Sequence, residues 1–276
     1  MTAPTTFSVA NVKSLLSSPA SFQWKDAPLS AIHWPIGSIV VYLCATLILV
    51  QLMKGRKGLK LTHPGIYKTL VATHNLFLCA WSFAMLFGTI AAFLERREHE
   101  GSVGWFFCEA GAPPAQGSLY FWSYIYYVSK YYEMLDTILV VVGGSKIPHF
   151  GLQVYHHALV VLMAWFWLEY KQSLQWGGLA TNTFVHVIMY FYYAMKVLRV
   201  PTPWKRIITK VQIFQFAISF VLLVITCCHH FGIFFAQSTC SGMQALIFNA
   251  VFNASLLVQF IGVDKRNARQ AEKKGQ

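Results

Sequence analysis

The sequence has few charged residues: Asp, Glu, Lys and Arg make up 12% of its 276 residues, about half the fraction usual in a soluble domain. Its first 30 residues contain no apolar stretch long enough for a signal peptide, so we expect no cleavable leader and a first spanning helix that acts as its own insertion signal. Acidic residues are scarce, with ten Asp and Glu against 22 Lys and Arg. Because no soluble domain is left to carry a basic groove, this charge does not indicate nucleic acid binding.

Long apolar blocks are abundant, since 56% of the residues are hydrophobic. Runs of about 18 or more such residues are candidates for membrane-spanning helices, and short loops separate them, which favours one bundle of antiparallel helices. The predicted fold class is an all-α integral membrane protein with seven transmembrane helices. The predicted spans are residues 33–53, 68–94, 118–142, 151–168, 173–196, 207–231 and 242–263.

The predicted orientation follows from the basic residues between the spans. Sixteen of the 22 Lys and Arg lie on one side, five on the other, and Lys130 lies inside a span. The side rich in Lys and Arg is expected to be cytosolic. The chain then divides into a lumenal segment 1–32, a membrane domain 33–263 and a basic cytosolic tail 264–276. The pair Lys273 and Lys274 near its end matches the di-lysine signal for retrieval to the endoplasmic reticulum.

The six cysteines divide into two groups by this topology. Four lie within spans, where we interpret them as small buried apolar residues. Cys108 and Cys240 both fall in predicted lumenal loops, and two thiols in an oxidising compartment are expected to pair.

Polar side chains inside the predicted spans are the main indication of a functional site, because each is costly in a membrane unless it is paired or lines a cavity. At about 1.5 Å per residue, Asp136 and His156 lie about 8–9 Å from the cytosolic end of their spans, and His186 lies about 15 Å in. The sequence therefore predicts one polar layer, entered from the cytosol. Its candidate members are Lys130, Glu133, Asp136, Thr137, Gln153, His156, His157, Asn182, His186, Tyr190, Tyr193, Gln212 and Gln215.

Several kinds of chemistry could use a layer of this composition. Membrane di-iron enzymes use about eight histidines, and only His156, His157 and His186 are available. A single zinc held by three histidines stays open, although no carboxylate backs an obvious ligand pattern. The layer has no Ser nucleophile and no Cys beside a His. A neutral imidazole, in contrast, is nucleophilic near pH 7 without losing a proton and can hold an acyl group taken from a thioester.

Four segments resemble the motifs of the ELO family of fatty acid elongases. Residues 130–137, KYYEMLDT, resemble its KxxExxDT motif, and residues 153–157, QVYHH, resemble HxxHH. Residues 182–193, NTFVHVIMYFYY, resemble NxxxHxxMYxYY, and residues 209–215, TKVQIFQ, resemble TxxQxxQ. The motifs occur in the family's order on the predicted spans, and the surrounding sequence looks most like the plant and protist branch.

The resemblance implies a seven-helix enzyme of the endoplasmic reticulum membrane, six of whose helices enclose a narrow tunnel for the acyl chain. It implies condensation of a fatty acyl-CoA with malonyl-CoA to 3-oxoacyl-CoA, carbon dioxide and CoA, with no metal or organic cofactor. His156 would attack the acyl thioester with His186 beside it, and the remaining motif residues would orient and support them. The resemblance also implies a disulfide between Cys108 and Cys240. Membrane lipid and the reductases and dehydratase of the elongation cycle are implied as partners, and a homodimer is left open.

One position departs from the family pattern: Gln153 stands where HxxHH has its first histidine. An amide can donate and accept hydrogen bonds but cannot act as an acid or base. Some protist elongases that act on polyunsaturated chains look similar here, which suggests a polyunsaturated substrate. The competing interpretation is a seven-span receptor or small transporter, which would give no reason for paired histidines at depth.

Overall fold

The computed structural model of the chain describes residues 18–111, 113–144, 149–233 and 239–275. Of the predicted N-terminal segment 1–32, residues 1–17 therefore lie outside the described part, as does Gln276 at the end of the predicted tail. Within the described ranges the only β-structure consists of isolated bridges. The long helices are α1 (His33–Met53), α2 (Pro64–Glu100), α3 (Ser118–Glu133), α4 (Leu135–Gly143), α5 (Phe150–Glu169), α6 (Gln175–Leu198), α7 (Lys205–Phe231) and α8 (Met243–Gly275).

The all-helical membrane character predicted from the sequence is confirmed. In the described part of the chain, five helices are long and apolar enough to cross a membrane, namely α1, α2, α5, α7 and α8. The predicted spans 118–142 and 173–196 are also helical, as α3 with α4 and as α6, but neither is among these five. The interruption at Met134 leaves α3 and α4 with 16 and 9 residues, each too short to span a membrane alone, whereas α6 is long enough but carries Asn182, His186 and three tyrosines.

Helix ends differ from the predicted bounds where local backbone chemistry decides them. Helix α2 extends beyond residues 68–94 at both ends. It begins at Pro64, whose missing N–H costs nothing in the first turn, and it ends where Gly101 adopts a φ of 66°. The predicted third span is interrupted at Met134, between α3 and α4. It ends, as predicted, at the Gly143–Gly144 pair, where the positive φ of Gly144 caps the helix.

Six helices form a closed ring of neighbours. In order around the ring, α2 packs on α6, α6 on α7, α7 on α8, α8 on α5, α5 on α3, and α3 returns to α2. Helix α1 lies outside this ring, against α4 and α5, and it leaves Val40, Val41 and Leu47 exposed on its outer face. A ring of this kind can enclose an elongated space, because six helices cannot all meet at one axis.

Three loops are joined at one end of the bundle, which we call the disulfide end. Cys108, before α3, is bonded to Cys240, before α8. The hydroxyl of Ser173, between α5 and α6, accepts a hydrogen bond from the backbone N–H of Glu109 and donates one to the carbonyl of Ser241. Arg96 at the end of α2 contacts both carboxylate oxygens of Glu109 at 2.7 and 2.8 Å. These contacts hold the helix ends together at the disulfide end of the bundle.

Candidate active site

A buried ion pair lies at the centre of the candidate site. Lys130 Nζ donates to Glu133 Oε1 at 2.7 Å, with both side chains on one face of α3. Their side chains are 0% and 1% exposed, and Ser129 Oγ donates to the same carboxylate oxygen at 3.0 Å. The ammonium group also lies 4.0 Å from the ring centroid of Tyr126. Removing two charges from water into an apolar bundle costs free energy. Their presence therefore indicates that this layer has a functional role.

Asp136, at the start of α4, receives donors from two other helices. His74 Nε2 on α2 lies 2.7 Å from Oδ1, and the Tyr190 hydroxyl on α6 donates to Oδ2 at 2.8 Å. His157 Nε2 on α5 lies 3.8 Å from Oδ2. Asp136 thus joins three helices of the ring, and its carboxylate faces two imidazoles.

The three predicted histidines converge on this layer from α5 and α6. The rings of His156 and His157 have centroids 5.4 Å apart, and His186 Nδ1 lies 3.8 Å from Glu133 Oε1. His157 and His186 are buried, and each of the three has a buried Nδ1 with no hydrogen-bond partner among the described residues. The ring of His156 stacks on Phe252 of α8 with centroids 6.2 Å apart.

A cavity begins at His156 and runs between α5, α6, α7 and α8 toward the disulfide end. The part of it that a water-sized molecule can enter has a volume of about 60 Å³. Over the 11 residues from His156 to Trp167 on α5 it extends for about 16 Å, and its walls there are mostly apolar. Representative apolar lining residues are Val160, Met163, Trp167, Phe216, Leu223 and Leu256. A narrow apolar space with imidazole at one end suits a flexible hydrocarbon chain that carries a reactive carbonyl.

Two of the four amides of the layer lie at the cavity wall. Asn182 and Gln215 both line it, and the oxygen of Asn182 accepts a hydrogen bond from Tyr126 at 3.0 Å. This bond fixes the orientation of the Asn182 amide and leaves its nitrogen as a donor.

The remaining predicted residues lie toward the edge of the site. Thr137 is buried and bonded to Tyr42 of α1 at 2.8 Å. Gln212 Nε2 contacts Met189 Sδ at 3.6 Å, and Tyr193 is 40% exposed beside Tyr190. Among the described residues the side chain of Gln153 has no hydrogen-bond partner. The described structure therefore joins Gln153 to the charged groups of the layer by no hydrogen bond.

Two residues of the site are missing from the set predicted by the sequence. His74 lies in α2, which has no predicted motif, and Tyr126 lies one turn before Lys130 on an aromatic-rich helix. A histidine inside an otherwise apolar span is a signal that could have singled out His74. Nothing in the pattern distinguishes Tyr126 from the tyrosines around it.

The chemistry available here is that of imidazole beside carboxylates. Glu133 and Asp136 each lie 3.8 Å from a histidine nitrogen, a distance that can shorten when a substrate is bound. In the described part of the chain no three His, Cys, Asp or Glu side chains are grouped as metal ligands.

Comparison with known proteins decides the family. The sequence model of the ELO group, described as the GNS1/SUR4 family, matches residues 27–276. The chain belongs to the ELO family. It is 34% identical over 200 residues to fatty acid elongase sre1 of Dictyostelium discoideum, covering 71% of each chain. It is 34% identical over 199 residues to fatty acid elongase A of the same organism, covering 71% of this chain and 69% of the other.

A vertebrate relative is more distant. Very long chain fatty acid elongase 5 of Mus musculus is 27% identical over 233 residues, covering 80% of this chain and 72% of its own. The likeness to protist relatives is consistent with the branch predicted from the sequence. Family membership and the membrane-spanning helices together make this ELO protein a multi-pass membrane protein of fatty acid elongation, and they exclude the receptor or transporter interpretation.

Proposed function

We propose that this ELO protein condenses a fatty acyl-CoA with malonyl-CoA to give 3-oxoacyl-CoA, carbon dioxide and CoA. The observation that carries the proposal is a cluster of imidazoles at one end of an apolar cavity, which His156 lines. In this assignment the seven predicted spans cross the endoplasmic reticulum membrane, the acyl chain occupies the cavity, and the thioester lies at His156. No metal or organic cofactor takes part.

The first half-reaction would be acyl transfer to His156. Because Nδ1 of this ring is buried, Nε2 attacks the thioester carbonyl, the C–S bond breaks, and the CoA thiolate leaves with the proton from the other ring nitrogen. The Asn182 amide nitrogen is the donor placed to stabilise the oxyanion. His157 and His186, each near a carboxylate, relay the proton.

The second half-reaction would use malonyl-CoA. Loss of carbon dioxide leaves an enolate whose carbon attacks the acyl-imidazole carbonyl. The C–N bond breaks, and the departing imidazole is reprotonated through the histidine pair by a proton from water, because the first proton left with CoA. The buried charges of Lys130 and Glu133 keep the layer electrically balanced through both steps.

This order predicts ping-pong kinetics for the purified protein. Initial rates with both substrates varied should give parallel double-reciprocal lines, and acyl-CoA alone should release CoA slowly with water as a poor second acceptor. The measurement is thiol release and labelled malonyl-CoA incorporation in detergent. Intersecting lines, with CoA released only when malonyl-CoA is present, would instead require a ternary complex and a non-covalent role for His156.

The acyl substrate in this proposal is a polyunsaturated chain, and the support for it is one polar atom in the cavity wall. Asn249 lines the cavity, and its Oδ1 is buried without a hydrogen-bond partner among the described residues. It lies three residues from Phe252, about 4–5 Å deeper along α8 than the ring that stacks on His156. Methylenes between two double bonds are the most polarised C–H groups of a hydrocarbon chain, so they are the best donors for this oxygen.

Substitution of Asn249→Leu should therefore change substrate choice. A C–H···O contact of about 0.5–1 kcal/mol corresponds to about a 2- to 5-fold fall in the ratio of kcat/KM for a polyunsaturated over a saturated acyl-CoA of equal length. Competition between the two acyl-CoAs measures this ratio directly. Leu246→Met, a volume-conserving change in the same wall, should alter both substrates alike. An unchanged ratio in the Asn249→Leu protein would remove Asn249 from the account of selectivity.

A further inference from the structure

His74 lies outside every motif segment of the sequence, yet it makes one of the shortest contacts in the site. Its Nε2 is 2.7 Å from Asp136 Oδ1, and its side chain is 5% exposed. The ring stacks on Tyr132 with centroids 5.2 Å apart and an interplanar angle of 26°. Its Nδ1 lies 3.3 Å from the Tyr132 hydroxyl. Both ring nitrogens therefore have a hydrogen-bond partner, and stacking on Tyr132 further restrains the orientation of the ring.

These contacts define one consistent hydrogen-bond arrangement. An ionised Asp136 only accepts, so His74 donates from Nε2–H, and its Nδ1 then accepts from the Tyr132 hydroxyl. The Tyr190 hydroxyl donates to the other carboxylate oxygen. Two donors on α2 and α6, which pack closely on each other, thus fix the plane of the carboxylate. Oδ2 can accept one more hydrogen bond, and the nearest candidate donor is His157 Nε2 at 3.8 Å.

We infer that His74 is a positioning residue for the condensation, acting through Asp136 on His157. With Asp136 held by His74, His157 keeps its proton on Nε2, toward the carboxylate. Its Nδ1, which is buried and has no partner among the described residues, then keeps a lone pair for the proton that His156 gives up. Without His74, the carboxylate loses one of its two fixed donors and can turn away from His157. This inference rests on the proposed function, because the transferred proton belongs to the acyl-transfer step.

Substituting His74 by Gln or by Asn distinguishes a positioning role from a packing role. Gln can place an amide N–H near the position of His Nε2, whereas Asn places it near the position of Nδ1. We expect His74→Leu and His74→Asn to lower kcat by about 10- to 100-fold, which is below the roughly 10²- to 10⁴-fold that an acid–base group itself contributes, because His74 acts through Asp136. His74→Gln should recover kcat to within a few-fold of the parent. KM for acyl-CoA should stay close to the parent value in all three, because His74 does not line the cavity.

The experiment measures kcat, KM and CoA release from acyl-CoA alone for the parent and the three variants in detergent, with thermal unfolding of each. Asn75→Ala is the matched control, since Asn75 is the next residue, is also buried, and among the described residues bonds only to the carbonyl of Val71 in its own helix. The inference is supported if Gln restores both kcat and CoA release while Asn and Leu do not. It is overturned if Gln and Leu are equally impaired at equal stability, or if all variants retain parental kcat.

Two further outcomes are separable. If His74→Leu does not fold, the comparison of Gln with Asn decides, because both are polar and smaller than the imidazole. If the parent itself fails to condense acyl-CoA with malonyl-CoA, the proposed function fails, and the role of His74 in it falls with it.

Discussion

Substitution of His156→Ala is expected to lower condensation by at least about three orders of magnitude, equivalent to about 4 kcal/mol of activation free energy. The reason is that His156 is the imidazole at the end of the cavity, where a thioester would lie. Alanine removes the nucleophile, and no other imidazole lines this space among the described residues.

The sharper readout is the covalent intermediate. After incubation with acyl-CoA alone, mass spectrometry of the α5 peptide should show an acyl adduct on His156 in the parent and none in His156→Ala. His33→Ala is the control, because His33 is exposed at the start of α1 and should leave both adduct and rate unchanged. An adduct that persists in His156→Ala would place the acyl group elsewhere and end the nucleophile assignment.

Substitution of Lys130→Met is expected to destabilise the protein by about 3–5 kcal/mol, because it leaves the Glu133 carboxylate charged, buried and without its partner. Activity should be lost as well, since Glu133 lies beside His186. Thermal unfolding in detergent measures the first effect and the condensation assay the second. Glu100→Gln provides a contrast, because it breaks only the ion pair between Glu100 and Arg96, and the Glu100 carboxylate is 37% exposed.

The double substitution Lys130→Met with Glu133→Leu separates folding from function. Replacing a buried ion pair by apolar side chains of similar volume is often neutral or stabilising, so we expect stability to return while activity stays lost. A double variant that regains activity would show that Lys130 and Glu133 contribute to packing and not to catalysis. A single Lys130→Met variant of parental stability would mean that water reaches Glu133.

The polar layer shows how much of the site follows from the sequence. Depth along the helices predicts that residues 130–137 and 182–193 share a layer, and the structure brings Lys130, Glu133 and His186 together there. Depth follows from a fixed rise per residue, so it can be counted along the chain without reference to packing. The direction in which each side chain points around its helix cannot be counted in this way.

Gln153 and Thr137 illustrate that limit. Both belong to motif segments at a suitable depth, but Thr137 faces α1, where it bonds to Tyr42, and Gln153 has no hydrogen-bond partner among the described residues. His74, in contrast, belongs to no motif segment and contacts Asp136 in the layer. Which helix lies beside which sets these outcomes, and the order of neighbours around the ring is a property of packing between residues far apart in sequence.

Apolar run length and residue depth are local properties of the chain, so they suffice to predict a helical membrane protein with a polar layer rich in histidine. Its motifs, which are equally local, indicate the ELO family. The folded chain adds three features that local pattern does not contain. Six helices close a ring with α1 outside it, the cavity begins at His156, and Asp136 is shared between His74, Tyr190 and His157. These are contacts between separate helices, and long-range packing fixes them where local pattern cannot.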